Sequence, residues 1–445
     1  MTRSFVPVLL LTAVCITGVA PAAELPTAQE IAVELGYDLS QPLTLDQCVA
    51  LALRVHPDMR VAAAELDQAR ASLRQARASQ WPVFRLSSDY RVTEQPERSV
   101  VIGGSVIQTG GGRTTSRNTQ IDGSYTLYDP SRSKTIRQAE VYRQAAQAGV
   151  EDAERQLVYM VTQAYFDQLA AERLATVEEA SVASSQAHVD EVQARIDAGD
   201  AAPVDIHTVR AQLHAAQLQL ASARTQTAIA QASLRLALGS PTTDLQLADA
   251  WEQPTSLPDL ADVLSAAFAD RPDLRRQEAV VRAARLGARL AHIAERPQVS
   301  VSGGGEYGRH DGQSGPSWSI FGGVTQTLFD GGAAKAAVAR ARADVDAAEA
   351  QLERLRQNAS LEVESAWWRL RQSAEAIASA EAGQTEARAA LAAAETRYAA
   401  NVGILLEVTD AQVRASDADV SVVRAYYDYN VALADLRRAT AAGRE

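Results

Sequence analysis

The chain has 445 residues, with 43 Lys and Arg against 55 Asp and Glu and a formal net charge of −12 at pH 7. That acidic balance, with no basic stripe, argues against a nucleic-acid partner. Aromatic residues make up only 5% and alanine is abundant, which is poor material for a thick core and good material for long, closely packed helices.

Residues 1–22 read as a secretory signal: a short lead with Arg3, an apolar run from Phe5 to Ala20, and the small residues of Ala20-Pro21-Ala22 for cleavage. The run is too short to span a membrane, and no later segment offers 18 uninterrupted apolar residues. Cys15 lies in mid-run behind bulky Val14, which argues against lipidation there. Without the signal Cys48 is the one remaining cysteine, so no intrachain disulfide forms. Cys48 is expected as a buried small apolar residue on a helix.

An extended segment, 23–43, leads into a first unit, 44–239. It reads as a helix carrying "HPD" at 56–58, strands at 81–92 and 118–128, a long helix at 131–198 and a return helix at 203–238. A Pro-containing linker, 240–258, separates it from a second unit, 259–440. There a helix carries "RPD" at 271–273, with strands at 297–308 and 316–329, a long helix at 333–400 and a return helix at 404–440. The connections 93–117 and 309–315 are polar and Gly-rich, and read as external loops.

The long helices contain no proline and about one glycine each. At 1.5 Å per residue each spans about 100 Å. Asp129 and Asp330 are expected as N-caps, with Pro130 in the first helical position. Gly199 and Asn401 sit where left-handed C-caps belong. Along the return helix, Ile206, Val209, Leu213, Ala216, Leu220, Ala223, Thr227, Ala230, Leu234 and Ala237 keep a 3-4 spacing, and Val408 to Ala439 repeat it 202 residues later. That is a coiled-coil seam.

The strands alternate. Phe84, Leu86, Tyr90 and Val92 oppose Arg85, Ser87, Asp89 and Arg91; Ile121 and Leu127 oppose Gln120 and Asp122. Segments of about ten residues, apolar on one face, match membrane barrel strands. Trp81, Tyr90, Tyr128, Tyr307, Trp318 and Phe329 mark their ends, as expected at bilayer interfaces.

The two units are copies. "TLYDPSRSK" at 126–134 returns as "TLFDGGAAK" at 327–335, and Lys134 and Lys335 are the only lysines in the chain. "AYFDQL" at 164–169 sits where "AWWRLR" sits at 366–371. Four strands cannot close a barrel, and an open sheet edge in hydrocarbon costs several kcal/mol per unpaired group. Other copies of the chain must complete it; three copies supply twelve strands under cyclic symmetry. A non-conducting periplasmic coiled-coil structural protein is the alternative.

The signal, the two homologous units, the Thr-Leu-aromatic-Asp junctions and "TRYAANVGILLEVTDAQ" at 396–412 resemble the outer membrane efflux protein (TolC-like) family over essentially the whole mature chain. The resemblance implies an α+β membrane protein. It would be a homotrimer with a 12-stranded transmembrane β-barrel, four strands per chain, continued by a long periplasmic α-helical coiled-coil barrel. It implies residence in the outer membrane of a Gram-negative bacterium. Residues 240–258 would lie in an equatorial collar. The implied role is the exit duct of a tripartite efflux pump or type I secretion system, fed by an inner-membrane pump through a periplasmic adaptor. No enzyme activity and no cofactor are implied.

At the family's periplasmic tip, an Arg-Tyr pair, a Gly and acidic residues recur. Here Arg397, Tyr398, Glu407, Asp410 and Ala411 match, while Asn401 replaces the Gly; in the first copy Arg195, Gly199 and Asp205 fit, but Ile196 stands for Tyr. The resemblance implies a periplasmic gate at Asp205, Arg397, Glu407 and Asp410. Threefold repetition of such carboxylates would attract cations. It places the adaptor-docking tip at Gly199, Asp200, Ala201, Asn401, Val402 and Gly403.

Other motifs carry no chemistry. "GGGEYG" at 303–308 matches a dinucleotide pattern but no helix follows it, so the glycines read as small residues on a barrel wall. The six histidines are scattered, and His207 and His214 are too far apart to share a metal. No nucleophile motif occurs.

Overall fold

The computed structural model describes residues 41–440, except 97, 104, 110, 111, 240–245, 311, 312 and 401. The expected signal, most of the extended segment and Asn401 therefore lie outside the described residues.

Chain order is helix, strand, long helix, return helix, twice over. α1 (Leu45–Val55) opens on a capping box between Thr44 and Gln47, and buries Cys48 completely. α2 (Pro57–Ala78) follows directly, with His56 as N-cap and Pro57 at the first position. Four strands come next: β1 (Val83–Gln95), β2 (Arg98–Ile102), β3 (Ser105–Thr109) and β4 (Gly112–Tyr128). α3 (Arg132–Ala198) and α4 (Asp205–Ala237) complete the first copy. The second copy is α5 (Leu260–Asp270), α6 (Pro272–Ile293), β5 (Gln298–His310), β6 (Gln313–Thr325), α7 (Ala333–Ala399) and α8 (Leu405–Thr440).

Strands β1, β4, β5 and β6 form one antiparallel sheet in that order. Register aligns Leu86, Ile121, Gly305 and Trp318 in one row, and Arg85, Asp122, Gly304 and Ser319 in the next. Side chains alternate across a strand, so one face is apolar and the other polar. The wall glycines have a steric reason. A Cβ on Gly304 would sit 2.7 Å from the Asp122 carboxylate. No described helix is long and apolar enough to cross a membrane.

The loops expected at 93–117 and 309–315 are largely strand. The β1–β4 ladder runs on to Gln95 opposite Gly112, and β2 and β3 form a separate hairpin beyond it. β5 and β6 stay paired to His310 and Gln313. Apolar alternation marks only the part of a strand that meets an apolar environment. Thr93, Thr114 and Thr115 continue the ladder as β-branched polar residues with no such signal. At the other end β6 stops at Thr325, short of the expected 329, and β1 starts at Val83 rather than 81.

The helix starts also differ from expectation. α3 begins at Arg132, so Pro130 lies outside it, and Asp129 accepts from the Ser131 N–H and hydroxyl at 2.8 and 2.6 Å. Asp330 accepts from the N–H groups of Gly332 and Ala334 at 2.9 and 2.6 Å, two residues before the geometric cap. Those bonds to Ala334 and Gly332 hold its carboxyl below the usual carboxylate range.

Each strand of the four-stranded sheet adjoins a helix, so α2, α3, α6 and α7 lie side by side in the order of their strands. α4 packs back along α3 and α8 along α7. All ten seam positions on α4, and the ten matching ones on α8, are buried or half-buried. The copies differ at mid-length. Tyr165 and Phe166 are buried, with Tyr165 donating to the Ala248 carbonyl and Phe166 stacked on Trp251. These contacts tie residues 247–251 and Leu43 to α3, where a Leu43–Leu247 bridge forms. Trp368, the counterpart of Phe166 in the second copy, is exposed.

A buried ion cluster joins the second copy's short helices to the end of the chain. Arg271 is 2% exposed; it bonds Asp273 at 2.6 Å and Glu362 at 3.0 Å, and donates to the Ala439 carbonyl. Arg155 donates to the Arg438 carbonyl at 2.6 Å. Both guanidiniums sit where the α8 dipole is negative. Burial pushes the Asp273 carboxyl up, but the hydrogen bond and charge of Arg271, with Arg155, hold it below the usual range.

Replacing Arg271 with Leu is expected to cost about 3 kcal/mol or more, because Asp273 keeps only the Leu274 N–H and a 3.7 Å contact to Arg155. Denaturant titration in micelles measures it. A depressed folded pKa contributes stability above the ordinary carboxylate value and loses it as pH falls through the folded value. Wild-type stability should therefore drop below about pH 4 more steeply than that of the Arg271→Leu/Asp273→Asn double variant.

Candidate functional site: the helical tip

The ends of α3 and α7 lie about 100 Å from the sheet, at 1.5 Å per residue. Two helix-turn-helix returns meet there. Gly199 closes α3 with φ 84°, in the left-handed region that glycine enters without strain, and Asp200 N–H donates to the Arg195 carbonyl at 2.8 Å. The second return reproduces the bond: Val402 N–H donates to the Arg397 carbonyl at 2.9 Å.

The two returns are locked across the copies. Arg195 donates to the carbonyls of Tyr398 and Ala399 at 2.9 and 3.2 Å. Its guanidinium lies 4.3 Å from the centre of the Tyr398 ring. A cation on the last carbonyls of α7, over an aromatic face, gains from both the helix dipole and the ring quadrupole. The buried His188 ring meets Tyr398 edge-on at 6.0 Å. Beneath, Val189, Val192, Ile206, Val209 and Leu213 form a small core against which Leu405 packs from the other copy.

Of the expected gate residues, the structure brings Arg397 and Glu407 together at 3.5 Å within one chain. Asp205 and Asp410 make no ion pair among the described residues; Asp205 is half-exposed and Asp410 exposed. Asp205 and Glu407 both lie in first helical turns, where negative charge is favoured by the dipole alone. Of the expected docking residues, Asp200 and Val402 are exposed, and Ala201 and Gly403 half-exposed. Three apolar side chains beside them, Val204, Ile404 and Leu406, also stand in solvent. The Arg195–Tyr398 lock was not read from the sequence. Its signal was the asymmetry of Arg-Ile in one copy against Arg-Tyr in the other, which leaves one aromatic for two arginines. Among the described residues no group of three His, Cys, Asp or Glu is placed to hold a metal.

A family model, the outer membrane efflux protein, matches residues 49–240 and again 263–442. The chain belongs to that family. The double match is the internal repeat seen in the fold, and the members are efflux channels of the outer membrane, not enzymes. Among curated proteins none matches. Among solved structures, CusC superposes with a TM-score of 0.78 at 19% identity, over 89% of this chain and 91% of that one. The outer-membrane channel OprN gives 0.77 at 23%, over 92% and 94%. The MtrE outer membrane channel of Neisseria gonorrhoeae, in its open state, gives 0.75 at 20%, over 89% and 88%. At these identities the likeness concerns the fold: sheet, long helices and return helices in the α+β arrangement of the family.

Arg195→Gln and Tyr398→Leu should each loosen the tip, with a coupling of about 1 kcal/mol between them. A double-mutant cycle on unfolding free energy reads it, together with faster amide exchange over residues 195–205 and 397–405. Additivity of the two variants would exclude the lock.

Proposed function

We propose that this chain is the outer-membrane exit duct of a tripartite efflux pump or type I secretion system, working as a homotrimer in a Gram-negative bacterium. The observation that carries the reading is the sheet. It has two unpaired edges, β1 and β6, and one exposed apolar face with Phe84, Leu86, Trp318 and Ile320. Pairing β1 of one subunit with β6 of the next removes every edge and closes twelve strands around a pore. The helices continue that wall away from the membrane into the periplasm, so cargo passes without a chemical step. Planar-bilayer recording with the purified protein tests this. Discrete channels from a heat-modifiable trimer are expected; a monomer without conductance would leave the structural coiled-coil reading standing.

The tip is the proposed contact with the rest of the machine. In the trimer, Glu407 and Asp410, with Asp205 beside them, form carboxylate rings at the narrow end, and Arg397 restrains them through Glu407. Glu407→Ala and Asp410→Ala are expected to lower cation selectivity, and Arg397→Ala to raise open probability, in single-channel records. Wild-type values in all three would remove the gate.

Gly199 to Ala201 and Asn401 to Gly403 form the proposed docking surface for a periplasmic adaptor, itself bound to an inner-membrane pump. The exposed apolar side chains around them suit a protein partner. Cysteines at Ala201 and Gly403 should crosslink to that adaptor, whereas failure at both positions moves the contact elsewhere.

A further inference from the structure

All four strand-to-helix junctions lie along one rim of the sheet: α2 and α6 end there, and α3 and α7 begin there. The helical residues within about four turns of it are 66–80, 129–143, 283–297 and 330–344. These stretches carry thirteen Lys and Arg against six Asp and Glu, a net of +7 in a chain whose total is −12. Both lysines of the chain are among them.

The charges are available. Among the described residues, Lys134, Arg137, Arg289, Arg296, Lys335 and Arg340 make no ion pair and no side-chain hydrogen bond, and all but half-exposed Lys134 are exposed. Their neighbours on the sheet side are apolar and equally open. Leu328 and Phe329 are each 90% exposed, and Trp81 and Tyr128 stand out beside them. Aromatic side chains at the end of an apolar sheet face mark the depth of a bilayer interface. Long basic side chains just beyond that depth reach headgroup phosphates.

We propose that this rim is a binding surface for anionic phospholipid headgroups in the periplasm-facing leaflet. The inference rests on the duct reading above, and adds what holds the duct at its depth. An acidic protein would otherwise be repelled by an anionic leaflet. The basic rim turns that repulsion into attraction within a Debye length of the surface, about 8 Å in physiological salt.

Reconstitution in phosphatidylcholine vesicles with spin-labelled phosphatidylglycerol or spin-labelled phosphatidylcholine tests it. The wild type should hold phosphatidylglycerol about threefold or more over phosphatidylcholine at low salt, falling towards parity at high salt. Lys134→Gln/Arg137→Gln/Arg296→Gln/Lys335→Gln should bring the ratio near one while the heat-modifiable trimer persists. A wild-type ratio of one overturns the proposal, as does a variant with an unchanged ratio. So does a variant that alters ion selectivity without altering the ratio, because its cations then face the duct. Should the variant not assemble, the wild-type salt titration decides, and a ratio indifferent to salt overturns the proposal. Conductance in the same vesicles separates the two readings: channels with no lipid preference remove the rim alone, and no channels in either lipid remove the duct.

Discussion

The backbone hydrogen bond is the constraint on which this architecture turns. In hydrocarbon a peptide group has no water to turn to, so every strand edge must find another strand. This sheet carries four strands, an apolar face and two bare edges. Among the described residues neither edge is paired with a further strand. The shape of one subunit is therefore intelligible only as part of a closed ring. The helices α2, α3, α6 and α7 obey the same geometry, because each adjoins a strand of the sheet and inherits its place in the order.

Duplication supplies the second theme, and divergence between the copies supplies the specific chemistry. The backbone turns at the tip are the same in both halves, down to the bond from Asp200 or Val402 to an arginine carbonyl. The side chains are not. Arg195 crosses to the other copy and caps α7, while Arg397 stays at home beside Glu407. At mid-length, Tyr165 and Phe166 clamp the linker, whereas the tryptophans of the second copy lie nearer the surface. A strict repeat would give a symmetric tube. The differences bind the halves into one body at the tip, at the linker and, through Arg271 and Arg155, at the end of α8.

Charge is distributed along the molecule rather than spread over it. The sheet's apolar face has almost none, the rim beside it is basic, and the remainder is acidic. Such a gradient along a long axis fixes orientation relative to a charged surface, and it does so by long-range forces that need no single well-made ion pair.

Local periodicity determined much of this protein from the sequence alone. The 3-4 seam on each return helix, the proline-free long helices, the helix-closing Gly199 and the doubled Thr-Leu-aromatic-Asp junction are properties of neighbours in the chain. They survive whatever the fold does with them. The extent of the strands did not show, because Thr93 to Gln95 and Gly112 to Thr115 pair outside the apolar band where alternation has no physical cause. The contacts of Arg195 with Tyr398, and of Arg271 with the Ala439 carbonyl, join residues about 200 and 170 positions apart. No spacing rule reaches that far. Only tertiary packing, across the copies for Arg195 and within the second copy for Arg271, decides which arginine meets which helix end.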